Sequence, residues 1–240
     1  MSRKSKRNRP TVAAPPAADV AVVARRNRRR GLVAVVIALL IVAALAVYAM
    51  RDRSGSEAGD ANTRAAALAS EHSPTLGEPS ARVSVVEFLD PACETCAQFF
   101  PIVKQLMAEN PGRIRLSVRH VAFHEGADYV VRLLEASRAQ DRYWQTLERL
   151  LQTQAQWAPH HTVRPDLVDP IVAGLGLDMQ RLASDMNAPG IAQRVERDRE
   201  DAVNLKVTAT PEYFVNGRPL AEFGYEPLLA LVREELARSY

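Results

Sequence analysis

The chain has two cysteines in 240 residues, Cys93 and Cys96, and they stand three apart in FLDPACETCAQFFP, Phe88 to Pro101. A CxxC pair has three chemistries open to it. It can cycle between dithiol and disulfide, supply half of a zinc site, or close an inert staple. Zinc needs two further ligands. There is no third cysteine, and His120, His124, His160 and His161 show no ligand spacing relative to the pair. A staple across so short a loop restrains little chain entropy. The redox couple is the chemistry that the spacing favours; the alternative is a binding module with little redox turnover, either a membrane-tethered chaperone or a metal-handling thiol pair that could hold copper(I).

What positions the pair is a strand and a helix. Val83–Leu89 is β-branched and apolar, as a buried strand requires. From about Cys93 to Glu109, Phe99, Phe100, Val103, Leu106 and Met107 recur at helical spacing, and Asn110-Pro111-Gly112 ends the run. Cys93 therefore falls at a helix start. Unpaired N–H groups and the helix dipole favour an anion there, so its thiol pKa is expected to fall. Cys96, one turn further in, is the less exposed. Cys93 is the expected attacking sulfur and Cys96 the resolving one. Asp90-Pro91 reads as a turn that aims the helix.

Arg113–Ala122 alternates polar and apolar residues as a second strand, completing a βαβ unit. A helical stretch follows over about 126–205, in which Trp144 and Trp157 read as packing residues and His120 before it as a core or rim residue. Pro211–Val215 and Arg218–Leu220 then flank Asn216-Gly217, a hairpin turn signal, and an amphipathic helix closes the chain from Glu226 to about Arg238. The fold class is an α/β sheet with a helical insertion.

Charge is divided along the chain. Up to Arg53 there are twelve Lys/Arg against Asp19 and Asp52, whereas the remainder holds 19 bases and 26 acids. The body is thus acidic, which argues against nucleic acid as a partner. Gly31–Met50 is twenty residues without a charge, enough to span a bilayer as a helix. Arg25 to Arg30 precede it, so the positive-inside rule predicts residues 1–30 as a cytoplasmic basic tail and everything after Met50 as exported. A cleaved signal peptide ending near Ala44-Leu45-Ala46 is the competing reading, and it also exports the body. Residues 51–80, rich in Gly, Ser, Ala and Pro, read as a linker, and 81–240 as the folded domain.

The body resembles the thioredoxin superfamily, in its DsbA-like branch. Glu87-Phe88 lies six residues before Cys93, where the family places a buried acid. Cys93-Glu94-Thr95-Cys96 matches its redox motif, Pro101 its helix proline, and Thr208-Ala209-Thr210-Pro211 its cis-proline loop. The resemblance implies a thioredoxin-like fold and a thiol–disulfide oxidoreductase. It further implies Glu87 as proton acceptor for Cys96, and Thr210 and Pro211 as the groups that face substrate. Glu94 and Thr95 would tune the couple. Strong oxidases of the family often carry Pro-His between the cysteines, and a carboxylate there raises a thiol pKa, so a less oxidising couple is expected. No organic cofactor is implied. The partners implied are cysteine-containing exported proteins and a membrane redox partner, either quinone-linked or a thiol-reducing relay. The lipid bilayer is the third, and the site is the inner membrane of a bacterium.

Overall fold

A computed structural model describes residues 64–240 apart from 66 and 69. The tail, the apolar span and the first part of the linker lie outside the described residues. No helix among the described residues is long and apolar enough to cross a membrane.

One five-stranded sheet organises the body, in the order β1-β3-β2-β4-β5: β1 (Thr75–Leu76), β2 (Val83–Leu89), β3 (Ile114–His120), β4 (Glu212–Val215) and β5 (Arg218–Pro219). β2 and β3 are parallel, and the other pairs are antiparallel. The crossover from β2 to β3 is α1 (Glu94–Glu109), which buries Cys96, Phe100, Val103 and Leu106 along one stripe. β2 is covered on both faces, which explains why apolar residues stand on both of them. Val83, Val85 and Leu89 join the core under α1. Val86 and Phe88 point the other way, into a smaller core with Ala202, Val207 and Phe214. The period of two puts Glu87 on the α1 side.

The insertion holds six helices: α2 (Ala127–Ser137), α3 (Tyr143–Gln152), α4 (Gln154–Trp157), α5 (Pro165–Ala173), α6 (Met179–Asp185) and α7 (Pro189–Asn204). It shares one continuous core with α1, so it is not a separate body. The hairpin turns at Asn216 and Gly217, with φ of 48° and 80°, a left-handed pair that these two residue types tolerate. Pro219 occupies the edge strand, where a missing N–H costs no ladder bond. The closing helix is α8 (Tyr225–Ser239).

The end of the expected linker belongs to the fold. β1 pairs with β3 through Thr75 and Leu76, and Ala67 and Ser73 are buried. Only two paired residues hold that edge, too few to register in a Ser- and Pro-rich stretch. Gly77 follows with φ 103°, and a Cβ there would stand 2.6 Å from the Ile114 carbonyl oxygen, so the turn out of β1 demands glycine.

Beneath this strap lies a buried charge network. Arg119 is fully buried. It donates from Nε to Asp198 Oδ1 at 2.6 Å and from Nη1 to the Ala67 carbonyl at 2.7 Å, and its Nη2 pairs with Asp201. Asp198 also accepts from His72 Nε2 at 2.8 Å and the His120 N–H at 2.9 Å. Burial alone would raise the Asp198 pKa, but His72, Arg119 and the His120 amide outweigh it and hold the carboxyl below its usual range. A depressed carboxyl pKa contributes stability above the unfolded value, and that stability is lost as pH falls through the folded one. Arg119→Met leaves Asp198 buried without its main partner and is expected to cost about 3–5 kcal/mol in urea unfolding at neutral pH.

Candidate active site

The strand directions gather three loops at one end of the sheet. β2 ends at Leu89 and β3, parallel to it, at His120; β4 runs antiparallel with Glu212 opposite Phe88. The turn 90–93, the loop 121–126 and the segment entering β4 therefore meet beyond the carboxyl end of the central strand.

Asp90 ties two of them together. Its fully buried carboxylate accepts the Ala92 N–H at 2.8 Å on Oδ1. Oδ2 accepts the N–H groups of Phe123 and His124 at 2.7 and 2.9 Å, and the His124 ring Nδ1 at 2.8 Å. Its carbonyl accepts the Cys93 N–H at 3.0 Å. The turn read from Asp90-Pro91 is there, and it also pins the loop after β3.

Cys93 is the N-cap of α1, with extended backbone, and both cysteines are free thiols. Its Sγ donates to the Thr210 carbonyl at 3.2 Å, across to the third loop, where the Thr210–Pro211 bond is cis. The Cys93 thiol is pulled down to about 5. The largest cause is the hydrogen bond from the Cys96 thiol to the ionised sulfur. Partial burial opposes it, and the Thr210 side chain and the N–H groups of Cys96 and Thr95 add to it. Glu94 is exposed and is not among the groups that set this acidity.

Cys96 is fully buried, and burial first, then its bond to Cys93, pushes its thiol well above the usual range. On β2 behind it, burial pushes Glu87 up to about 8, a rise the Tyr213 hydroxyl moderates. Tyr213 donates to Glu87 Oε1 at 3.1 Å, and Oε2 has no partner among the described residues. The arrangement offers an ionised sulfur at the helix cap, itself only 6% exposed, a protonated one behind it, and a nearly neutral carboxyl with a free oxygen at their back.

The structure thus brings Cys93, Cys96, Glu87, Thr210 and Pro211 to one place, with Glu94 and Thr95 on the first turn of α1. Among residues that sequence reasoning set aside, His124 and His161 stack at 4.8 Å between ring centroids beside the Cys93 turn. His160 and His161 carry φ of 54° and 60° in a short 3-10 turn, Pro159–His161. His120 is a core residue bonded to the Tyr143 hydroxyl at 2.7 Å. Gln154 and Tyr213 carried no signal, since each owes its place to the tertiary fold.

A CxxC at a strand-to-helix junction, facing a cis X-Pro loop over a buried acid, defines a thioredoxin-like site. The thioredoxin family profile matches residues 69–234. The chain is 32% identical over 144 residues to the Na(+)/H(+) antiporter NhaA of Herminiimonas arsenicoxydans, 60% of this chain and 22% of that protein. It spans about a fifth of the length of the antiporters it matches, so antiport belongs to those proteins. It is 25% identical over 176 residues to disulfide bond formation protein D of Bacillus subtilis (strain 168), covering 68% of this chain and 77% of that one. The crystal structure of a thioredoxin-like oxidoreductase from Silicibacter pomeroyi DSS-3 superimposes with a TM-score of 0.62 at 25% identity, covering 72% of this chain and 98% of that one. The chain belongs to the thioredoxin family.

Alkylation of the reduced protein by iodoacetamide is expected to be half-maximal near pH 5, because only the thiolate reacts. In Cys96→Ala the largest stabilising contact is gone, and the midpoint is expected to move up by about one unit or more.

Proposed function

We propose that the protein is a membrane-tethered, extracytoplasmic thiol–disulfide oxidoreductase acting on exported proteins through Cys93 and Cys96. The observation that carries this reading is the opposed acidity of the two thiols, one pulled down to about 5 at the helix start and the other raised beneath it.

Each direction of exchange follows from that asymmetry. As a reductant, the Cys93 thiolate attacks a client disulfide, forming a Cys93–client bond and expelling one client thiolate. Cys96 then gives its proton to ionised Glu87 and attacks Cys93 Sγ. The Cys93–Cys96 disulfide forms and the client leaves reduced by two electrons. Oxidation of a client dithiol is the same sequence reversed, with Cys93 as the leaving sulfur. A stabilised Cys93 thiolate lowers the dithiol state, which makes the disulfide the better oxidant. Disulfide donation to clients is therefore the favoured direction, with a membrane redox partner re-oxidising the pair.

The span 31–50 with its preceding arginines supports a single-pass tether with the amino terminus in the cytoplasm. The name of the Bacillus subtilis relative, a disulfide bond formation protein, supports the client chemistry.

Cys96→Ala, expressed in a bacterium as the full chain, is expected to accumulate mixed disulfides between Cys93 and exported proteins on non-reducing gels. Absence of such adducts, with metal retained by the wild-type thiols, would overturn the proposal. A second measurement addresses Glu87. Its pKa is raised to about 8, so it accepts a proton only as pH rises towards that value. Resolution of a Cys93–peptide disulfide is expected to speed up through about pH 8, and Glu87→Gln to flatten that rise and slow the step by about 10²-fold.

A further inference from the structure

The turn that carries the attacking sulfur is gripped from the insertion. Gln154 Nε2 donates to the Pro91 carbonyl at 2.7 Å and to the Cys93 carbonyl at 2.9 Å. Between them, His161 Nδ1 donates to the Ala92 carbonyl at 3.2 Å. Three successive carbonyls thus end on side chains of the insertion, while the Ala92 and Cys93 N–H groups end on Asp90. Gln154 is 5% exposed, so both of its amide hydrogens are committed away from water. Its place is itself braced. The short α4 runs from Gln154 to Trp157, which is fully buried and donates from Nε1 to the Leu150 carbonyl at 2.9 Å.

A peptide unit is rigid, so fixing a carbonyl fixes the N–H on its far side. Gln154 holds the planes 91–92 and 93–94, the second of which opens α1. The N–H groups of Thr95 and Cys96, which help hold the Cys93 anion, follow that plane in the first turn of α1. Nothing else in the turn bonds the Pro91 carbonyl, and the Cys93 carbonyl has only the helical bond from the Ala97 N–H at 3.2 Å besides.

We propose that Gln154 is a positioning residue for the redox pair: by pinning the Pro91 and Cys93 carbonyls it aligns the start of α1 on the Cys93 thiolate, so that the insertion sets how readily this sulfur leaves. The proposal deepens the thiol-exchange reading and rests on it. It makes the insertion part of the redox machinery rather than a cover.

The test is Gln154→Met, which keeps length and loses both donors, and Gln154→Glu, which keeps shape and faces two carbonyls with a carboxylate. Leu182→Ala, in α6 and with no bond to the turn, is the control for loss of insertion stability. The readouts on the full chain are the iodoacetamide midpoint of Cys93, its dithiol–disulfide equilibrium with glutathione, and the thermal midpoint. Both Gln154 variants are expected to raise the Cys93 midpoint by about half a unit or more, roughly a threefold loss of thiolate on the acid side. The equilibrium is expected to shift towards the disulfide by a similar factor. Leu182→Ala should lower the thermal midpoint and leave both chemical readouts unmoved. A lowered thermal midpoint in the Gln154 variants with unchanged Cys93 titration, or an equal shift in Leu182→Ala, would overturn the proposal. These readouts need only the folded thiol pair, so a failure of client trapping is told apart from a failure of the Gln154 role.

Discussion

Everything at the cysteines depends on the Asp90 carboxylate. It is fully buried at the end of the central strand and satisfied by three backbone N–H groups and one imidazole. A buried carboxylate so provided for is a rigid joint, because releasing any donor would strand it or the donor in a low-dielectric interior. The joint binds the turn before α1 to the loop after β3, so the two parallel strands end as one surface. Cys93 is delivered at a fixed point above it, and the cis Thr210–Pro211 loop arrives from the other side because β4 is antiparallel to β2.

On that frame, the division of labour between the two sulfurs follows from one helical turn. Cys93 is the cap and Cys96 lies inside, so one sees the open N–H groups of the helix and the other sees the apolar core. The same hydrogen bond acts on both in opposite senses. A proton shared between the sulfurs favours the anion of the outer one and the neutral form of the inner one. Glu87 extends the series inward, since a carboxyl that burial keeps nearly neutral can hold a proton the inner sulfur must shed. Little of this requires unusual residues. It requires two thiols at a spacing that places one at the cap of a helix and the other a turn inside it.

Much of the fold was legible because its elements obey simple periods. The apolar run of β2, the helical stripe from Cys96 to Leu106 and the Asn216-Gly217 turn all stand where local pattern puts them. β1 was not legible, because two paired residues within a Ser- and Pro-rich segment give no period to detect. At the site, the cysteines and the Asp90-Pro91 turn could be read from spacing. Gln154, His161 and Tyr213 could not, since they lie 61 or more positions from the turn they touch or the acid they serve, and only the packing of the insertion and the return of β4 bring them in. Glu94, by contrast, stands next to Cys93 in sequence, and its side chain is exposed on the first turn of the helix.

The strap that enters the domain has a mechanical consequence. Residues 67–76 are fastened to Arg119 and Asp198, on the side of the sheet that carries α7 and the smaller core, while α1 and the cysteines belong to the other side. A pull on the chain from its amino-terminal side is therefore borne by β3 and α7, through an ion-pair knot. The domain is thus held from its amino-terminal side on one face of the sheet, while its sulfurs lie under the helix on the other.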